Sequence, residues 1–520
     1  MLNKIISCIC GLFLLVMSCI VYLCLFQMDT VYACKRYFEF NNIMYLFFGT
    51  MIIILLCLLL NVTIKDFSVD KFIKISSVVY FVILLITTYH YYFYTDWDVG
   101  YQIIPNSFAI AIGDYNRIDN YYLSMYPNNI FIIFLFSILI KIAAMLHISN
   151  WYMLLIAFQC LIYAIAAVLV YKTSKKLLDN ETYALLTYIL YMALIGVSPW
   201  VVVPYSDSIG LLFPISILFL YLKIKETRGE KQQLLLLGIL VGVMFFGYKI
   251  KPQIGIVTIS ILIIECLNFL NSFIKLNKNT AQLKRWSSVL KKRLCVIVGV
   301  LLISVLSMNV ITQVCHIYVD DERSFGAEHF LMMGMNSERQ GIYSQEDVNF
   351  SASFPTKEER KSATLIEIKD RINEHGAIGL VNLAKSKLLT TYNDGSYAWT
   401  HEGSFFIKTF DHGNSKIRDF FENLYYRDGQ YQNYFYNFVQ SVWLAVLFFS
   451  IFCAFSKRDD EVGILMLTVI GLTLFEILFE ARARYLFTNI PIYILLAVIG
   501  LKTLVDKVVE LKVRVDKNEQ

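Results

Sequence analysis

Residues 151–176 read WYMLLIAFQCLIYAIAAVLVYKTSKK. From Trp151 to Tyr171 no charge interrupts the apolar run, and Lys172, Lys175 and Lys176 close it. About 20 apolar residues in a helix span a bilayer core roughly 30 Å thick. Lysines gathered at one end mark that end as cytoplasmic. The stretch thus has both a length and a direction for crossing a membrane.

The pattern recurs along the chain. Apolar runs lie near 5–27, 41–61, 72–94, 128–146, 151–171, 182–203, 206–222, 233–249, 252–273, 294–318, 438–456, 461–479 and 484–503. The 520 residues are 57% hydrophobic and only 17% charged, too little charge to cover a soluble protein of that size. Soluble enzyme, disulfide scaffold and disordered chain are excluded as readings of the whole. The first run reads as an uncleaved anchor, since its core is long and no A-x-A-like site follows closely. Val31-Tyr32-Ala33-Cys34 only faintly resembles a lipoprotein cleavage box. Most of the eleven cysteines sit inside apolar runs, and no C-x-x-C pair suggests zinc or redox chemistry.

Thirteen runs give an awkward parity, which the basic loops resolve. Lysines and arginines cluster at 172–176, 223–231, 275–293, 457–458 and after 502, and Lys4, Lys65, Lys71 and Lys74 belong with them. All are cytoplasmic by the positive-inside rule only if one run between 95 and 172 does not cross. The run 128–146 is that one. It opens on Pro127-Asn128-Asn129 and carries Lys141, whose charge costs about 2.5–3.5 kcal/mol near a bilayer centre.

The expected fold is therefore an all-α polytopic membrane protein, with about twelve transmembrane helices and an outer juxtamembrane helix. Residues 1–70 form a two-helix anchor. Residues 71–318 form the membrane core, with a first outer loop at 95–127 and the juxtamembrane helix at 128–147. Residues 319–437 form a mainly helical extracytoplasmic subdomain, 438–504 the last membrane helices and 505–520 a basic cytoplasmic tail. Both termini are expected in the cytoplasm. Lys35 and Arg36, in an outer loop, depart from the charge rule. Within 357–392 the apolar spacing is helical, and Gly376 and Gly379 divide it into two helices.

The first outer loop begins Thr95-Asp96-Trp97-Asp98-Val99-Gly100. Two carboxylates bracket a tryptophan there, and Gly100 allows a tight turn. The loop runs on to Tyr126-Pro127-Asn128-Asn129 and closes on the interfacial helix. That order of features is similar to the GT-C integral-membrane glycosyltransferases, of the protein-mannosyltransferase and aminoarabinose-transferase type. The basic stretch 171–178, the proline-bearing turns Ser198-Pro199-Trp200 and Pro204-Tyr205-Ser206-Asp207-Ser208, and the late Glu480-Ala481-Arg482-Ala483-Arg484-Tyr485 carry the resemblance over roughly 70–500. WDVG (97–100), YPNN (126–129), EHFLMMG (328–334) and DGSYAW (394–399) look most like a Gram-positive branch, some of whose members are linked to exosortase systems.

The resemblance implies an inverting transfer of a sugar from a polyprenyl-phosphate donor to an extracytoplasmic glycan, lipid or protein. Asp98 would be the general base, with Asp96 as partner or alternative. Arg484, Arg482, Lys251 and Lys249 would hold the donor phosphate; contact with lipid headgroups is their alternative role. Asp207, Tyr126, Asn128, His329, Tyr397, Trp399 and Glu480 are the expected substrate-binding residues, the two aromatics of DGSYAW by stacking on sugar faces. No cofactor is required and no metal ligands are assigned, although a divalent ion is compatible with the carboxylates. Membrane lipids are expected partners and nucleic acid is not. The rival function is a transporter or flippase of a lipid-linked glycan, which would carry ionisable residues along a mid-membrane path.

Overall fold

The computed structural model describes residues 2–27, 39–64, 68–276, 280–402, 414–426 and 428–518. The Val31–Cys34 box, Lys35, Arg36 and Lys65 lie outside the described residues. The chain is all-α, and no strand occurs among the described residues. The helices are α1 (Leu2–Phe26), α2 (Asn42–Thr63), α3 (Val69–Tyr91), α4 (Ile104–Ile112), α5 (Asn120–Met125), α6 (Ile130–Met145), α7 (Trp151–Leu178), α8 (Glu181–Tyr191), α9 (Ser206–Gly210), α10 (Leu212–Glu226) and α11 (Glu230–Ile250). They continue as α12 (Gly255–Leu276), α13 (Thr280–Val314), α14 (Ala327–Gly334), α15 (Gln345–Ala352), α16 (Lys357–Tyr392), α17 (Trp399–Glu402), α18 (Ser415–Tyr425), α19 (Gln432–Ile451), α20 (Asp460–Leu478) and α21 (Ile490–Asn518). Polar caps set many starts: the side chains of Asn150, Asn180 and Thr356 accept from the backbone N–H groups of Met153, Tyr183 and Glu359.

Side-chain contacts sort the helix ends into two faces. On one, Lys175 bridges Asp70 and Glu181 at 3.0 and 2.8 Å, Lys292 meets Glu230 at 2.7 Å, and Lys176 and Lys225 pair with Glu226 and Glu461. These are the basic loops, each sharing its charge with carboxylates at neighbouring helix ends. On the other, Asn150 donates to the Tyr92 hydroxyl, Tyr425 to the Val197 carbonyl, and the Trp200 indole to the Tyr397 carbonyl.

Among the described residues eleven helices are long and apolar enough to cross a membrane, Pro127–Met145 among them. That helix nevertheless begins and ends on one face. At its start Tyr126 packs on Phe325 of the outer segment; just past its end Asn150 reaches Tyr92, at the end of α3. Lys141 is exposed. Conversely, the run 182–203 is a shorter helix, Glu181–Gly196, whose last turn widens to a π-helix before a 3₁₀ turn at Pro199–Val202. It joins the two faces all the same, from Glu181 at Lys175 to Trp200 at Tyr397.

The segment 319–437, expected outside the membrane, is not an isolated unit. α16 contains a break at Gly376, as the glycine spacing implies, and its end enters the helix bundle. There the Tyr392 hydroxyl meets those of Thr473 and Tyr493 at 2.7 and 2.9 Å. α19 is central. A Cβ on Gly49 of α2 would lie 1.9 Å from the Ser441 carbonyl oxygen, and one on Gly500 of α21 2.0 Å from that of Phe449. Small residues thus set the close helix contacts, as packing within lipid requires.

Candidate active site

The turn after α3 presents the first carboxylates. Trp97 has φ +53°, a left-handed conformation rare for a bulky side chain and costing about 1–3 kcal/mol. Gly100 opens the following π-turn, and a Cβ there would lie 2.0 Å from the Thr95 carbonyl oxygen. This tight turn sends the two acids to different surroundings. Asp96 lies beside Tyr94. Asp98 faces Arg484, Glu480, Arg482 and the hydroxyl of Tyr205. Its side chain stays accessible to solvent while protein surrounds it on most sides, the situation of a group in a cleft. Burial raises its pKa above the ordinary carboxylate value; Glu480 adds to this, and Arg484, Arg482 and the Tyr205 hydrogen bond oppose it.

Arg484 stands on the 3₁₀ turn Ala483–Asn489, between α20 and α21. Its guanidinium lies 4.4 Å from the Trp97 ring centre, 5.7 Å from Tyr205 and 5.6 Å from Tyr485, an aromatic cage for a cation. Its Nη1 is 3.7 Å from Asp207 Oδ2. Lys251 pairs with the other Asp207 oxygen and lies 4.6 Å from the centre of the Tyr485 ring. Asp207 is buried, so it serves two cations at once and holds them a fixed distance apart. Arg482 pairs with Glu480 at 2.9 Å and lies 5.9 Å from the Tyr343 ring centre. Tyr343 comes from the outer segment, which is tied to this turn where the Ala481 N–H donates to the Gly341 carbonyl at 2.9 Å.

Of the residues singled out from the sequence, Asp98, Asp207, Lys251, Glu480, Arg482, Arg484 and Tyr126 thus come together. Tyr126 is half-buried and shares the electrostatic surroundings of Asp98, Tyr343 and Glu480. Others do not join them. Lys249 lies over Phe245 of its own helix, 5.8 Å from the ring centre. Asn128 donates to the neighbouring Asn129 side chain at 3.2 Å.

Tyr397 and Trp399 offer no open ring face for the expected stacking on sugars. Both are buried in the bundle, Tyr397 against Trp443 and Phe487, Trp399 against Trp200 with its indole N–H on the Tyr425 carbonyl. The Asp394 side chain accepts from the Ser396 and Ala398 N–H groups and so builds their turn. His329 is fully buried too, stacked on Phe325, with Nδ1 2.7 Å from the Ser351 hydroxyl. Burial lowers its pKa to about 4, against the pull of Asp347, so it is a neutral core histidine at physiological pH.

Sequence reasoning missed Tyr205, Tyr343 and Tyr485, the aromatic walls, and two buried ionisable groups, Glu476 and Lys387. Glu476 had a usable signal: it is the acid inside the apolar run 461–479, and a charge within a membrane helix is a functional candidate. Lys387 donates to the Gly334 carbonyl at 2.8 Å. Burial brings its pKa down to about 7, with Glu476 and Glu480 opposing. Among the described residues no group of three or more His, Cys, Asp or Glu side chains is arranged to hold a metal ion.

Fold and site together define a polytopic all-α membrane protein with a charged, aromatic-walled cleft at one face. The chain belongs to the family described as conserved hypothetical integral membrane protein, whose model matches residues 1–505. No curated protein and no solved structure matches it.

Proposed function

We propose that the protein is an inverting glycosyltransferase of the GT-C kind, taking a sugar from a polyprenyl-phosphate donor and passing it to a hydroxyl of an extracytoplasmic acceptor. The observation that carries this reading is the placement of Asp98. An accessible carboxylate of raised pKa faces two guanidinium groups in a cleft at the end of the helix bundle opposite the basic loops. The basic loops lie at the opposite face, so the positive-inside rule puts the cleft outside.

The chemistry follows from that arrangement. The acceptor hydroxyl attacks the anomeric carbon from the side opposite the phosphate. Its proton passes to Asp98, whose raised pKa makes it the stronger base. The bond from the anomeric carbon to the phosphate oxygen breaks, and the phosphate leaves with the electron pair. Arg484 and Arg482 offset its charge. Asp207 and the aromatic cage keep Arg484 oriented before substrate arrives, so little reorganisation is left for the reaction.

A transporter fits less well. Among the described residues the buried charges are Asp207, Lys251, Asp347, Arg360, Lys387, Asp394, Glu476, Glu480 and Arg484. They collect at the cleft end or in the outer segment and form no path through the bundle. The test is to incubate the purified protein with a panel of labelled polyprenyl-phosphate sugars and an extract of envelope acceptors. Release of polyprenyl phosphate with transfer of the label is expected for one donor. Intact donors throughout, alongside movement of a lipid-linked glycan across vesicles containing the protein, would establish the transporter instead.

A further inference from the structure

Glu476, near the end of α20, has no part in the proposed chemistry. It is fully buried, and its two oxygens serve different segments. Oε1 accepts from the Gln253 side chain at 2.5 Å. Oε2 accepts from the backbone N–H of Arg482 at 3.4 Å. Gln253 lies in the Pro252–Ile254 turn, two residues after Lys251. Arg482 begins the turn that bears Arg484. The carboxylate therefore joins the two segments that deliver the cations of the cleft. Lys387, facing Glu476 and Glu480, ties the outer segment to the same point through the Gly334 carbonyl.

We propose that Glu476 is a positioning residue, which sets the spacing of Lys251, Arg482 and Arg484 for a polyprenyl monophosphate. The inference rests on the functional reading above and adds to it a residue that never touches the lipid. Geometry and simple electrostatics predict opposite signs here, which makes the test sharp. Coulomb's law alone says that removing a negative charge near the cleft tightens the binding of an anion. Positioning says that binding weakens. A leucine at 476 accepts from neither the Gln253 amide nor the Arg482 N–H and so removes both links, whereas an amide at 476 keeps both once the Gln253 side chain turns its oxygen toward it.

The experiment titrates farnesyl phosphate into the purified full-length protein in detergent, with farnesol as the control. Glu476→Leu is expected to weaken farnesyl phosphate binding tenfold or more, with its melting temperature close to that of the parent protein, while Glu476→Gln, which keeps both links, is expected to bind close to the parent. Equal or tighter binding by Glu476→Leu, or an equal loss in Glu476→Gln, overturns the inference and leaves the functional reading standing. Failure of the unaltered protein to bind farnesyl phosphate removes both. If Glu476→Leu does not fold, Gln253→Leu carries the test with the same expected sign, because it keeps the carboxylate and removes only its link to the turn.

Discussion

Asp96 and Asp98 are separated by one tryptophan, yet their surroundings share nothing. Asp98 looks onto Arg484, Arg482, Glu480 and Tyr205, Asp96 onto Tyr94. Loss of a general base typically costs about 10²–10⁴-fold in rate. Asp98→Asn is therefore expected to fall by that factor while still binding donor, and Asp96→Asn to stay near the parent rate. Turnover measured for both purified variants decides; near-parent rates in both would remove the loop from the chemistry. Arg484 is a second case in which surroundings define the role. Lysine keeps the charge but not the planar group that stacks on Trp97, Tyr205 and Tyr485. Donor affinity is expected to fall in Arg484→Ala and to recover only partly in Arg484→Lys. An alanine variant that folds and binds donor as tightly as the parent would exclude Arg484 from the phosphate site.

Among the elements, the turn between α3 and α4 does the most with the fewest residues. The left-handed Trp97 and the π-turn at Val99–Ile103 turn Asp98 toward Arg484 and Arg482, and Gly100 leaves room for the Thr95 carbonyl. A methyl group at 100 would collide with that carbonyl, and overpacking of this kind costs about 1–3 kcal/mol or more. Gly100→Ala should lower the melting temperature and the transfer rate together, although it touches no charged group. An alanine variant with unchanged melting and rate would mean that the turn relaxes without moving Asp98. The DGSYAW stretch is the contrasting element. Its residue types suit carbohydrate stacking, but the Asp394 turn delivers both aromatics into the bundle.

For the molecule as a whole, the two faces make the topology testable. A cysteine at Lys357, exposed at the start of α16, should react with a membrane-impermeant reagent in intact cells. One at Lys231, exposed near the start of α11, should react only after the membrane is opened. The reverse pattern would turn the cleft to the cytoplasm and remove an extracytoplasmic acceptor. Ser351 is unsuitable for such labelling, since it is buried against His329.

The sequence by itself determined the fold class, most of the long apolar helices and the grouping of the basic loops at one face. Those properties follow from run length and lysine placement, which act locally along the chain. It also named most of the charged members of the cleft, because a charge beside an apolar run stands out wherever it occurs. Tertiary structure alone decided which of those charges meet. Asp207, Lys251 and Arg484 are joined only by the packing of distant segments, and no spacing in the chain records that contact. The aromatics were settled at the same level. Tyr205 and Tyr485 wall the cleft while Tyr397 and Trp399 fill the core, although all four are tyrosine or tryptophan beside polar turns. An aromatic ring gains by burial in either place, so only the direction its backbone gives it tells the two apart.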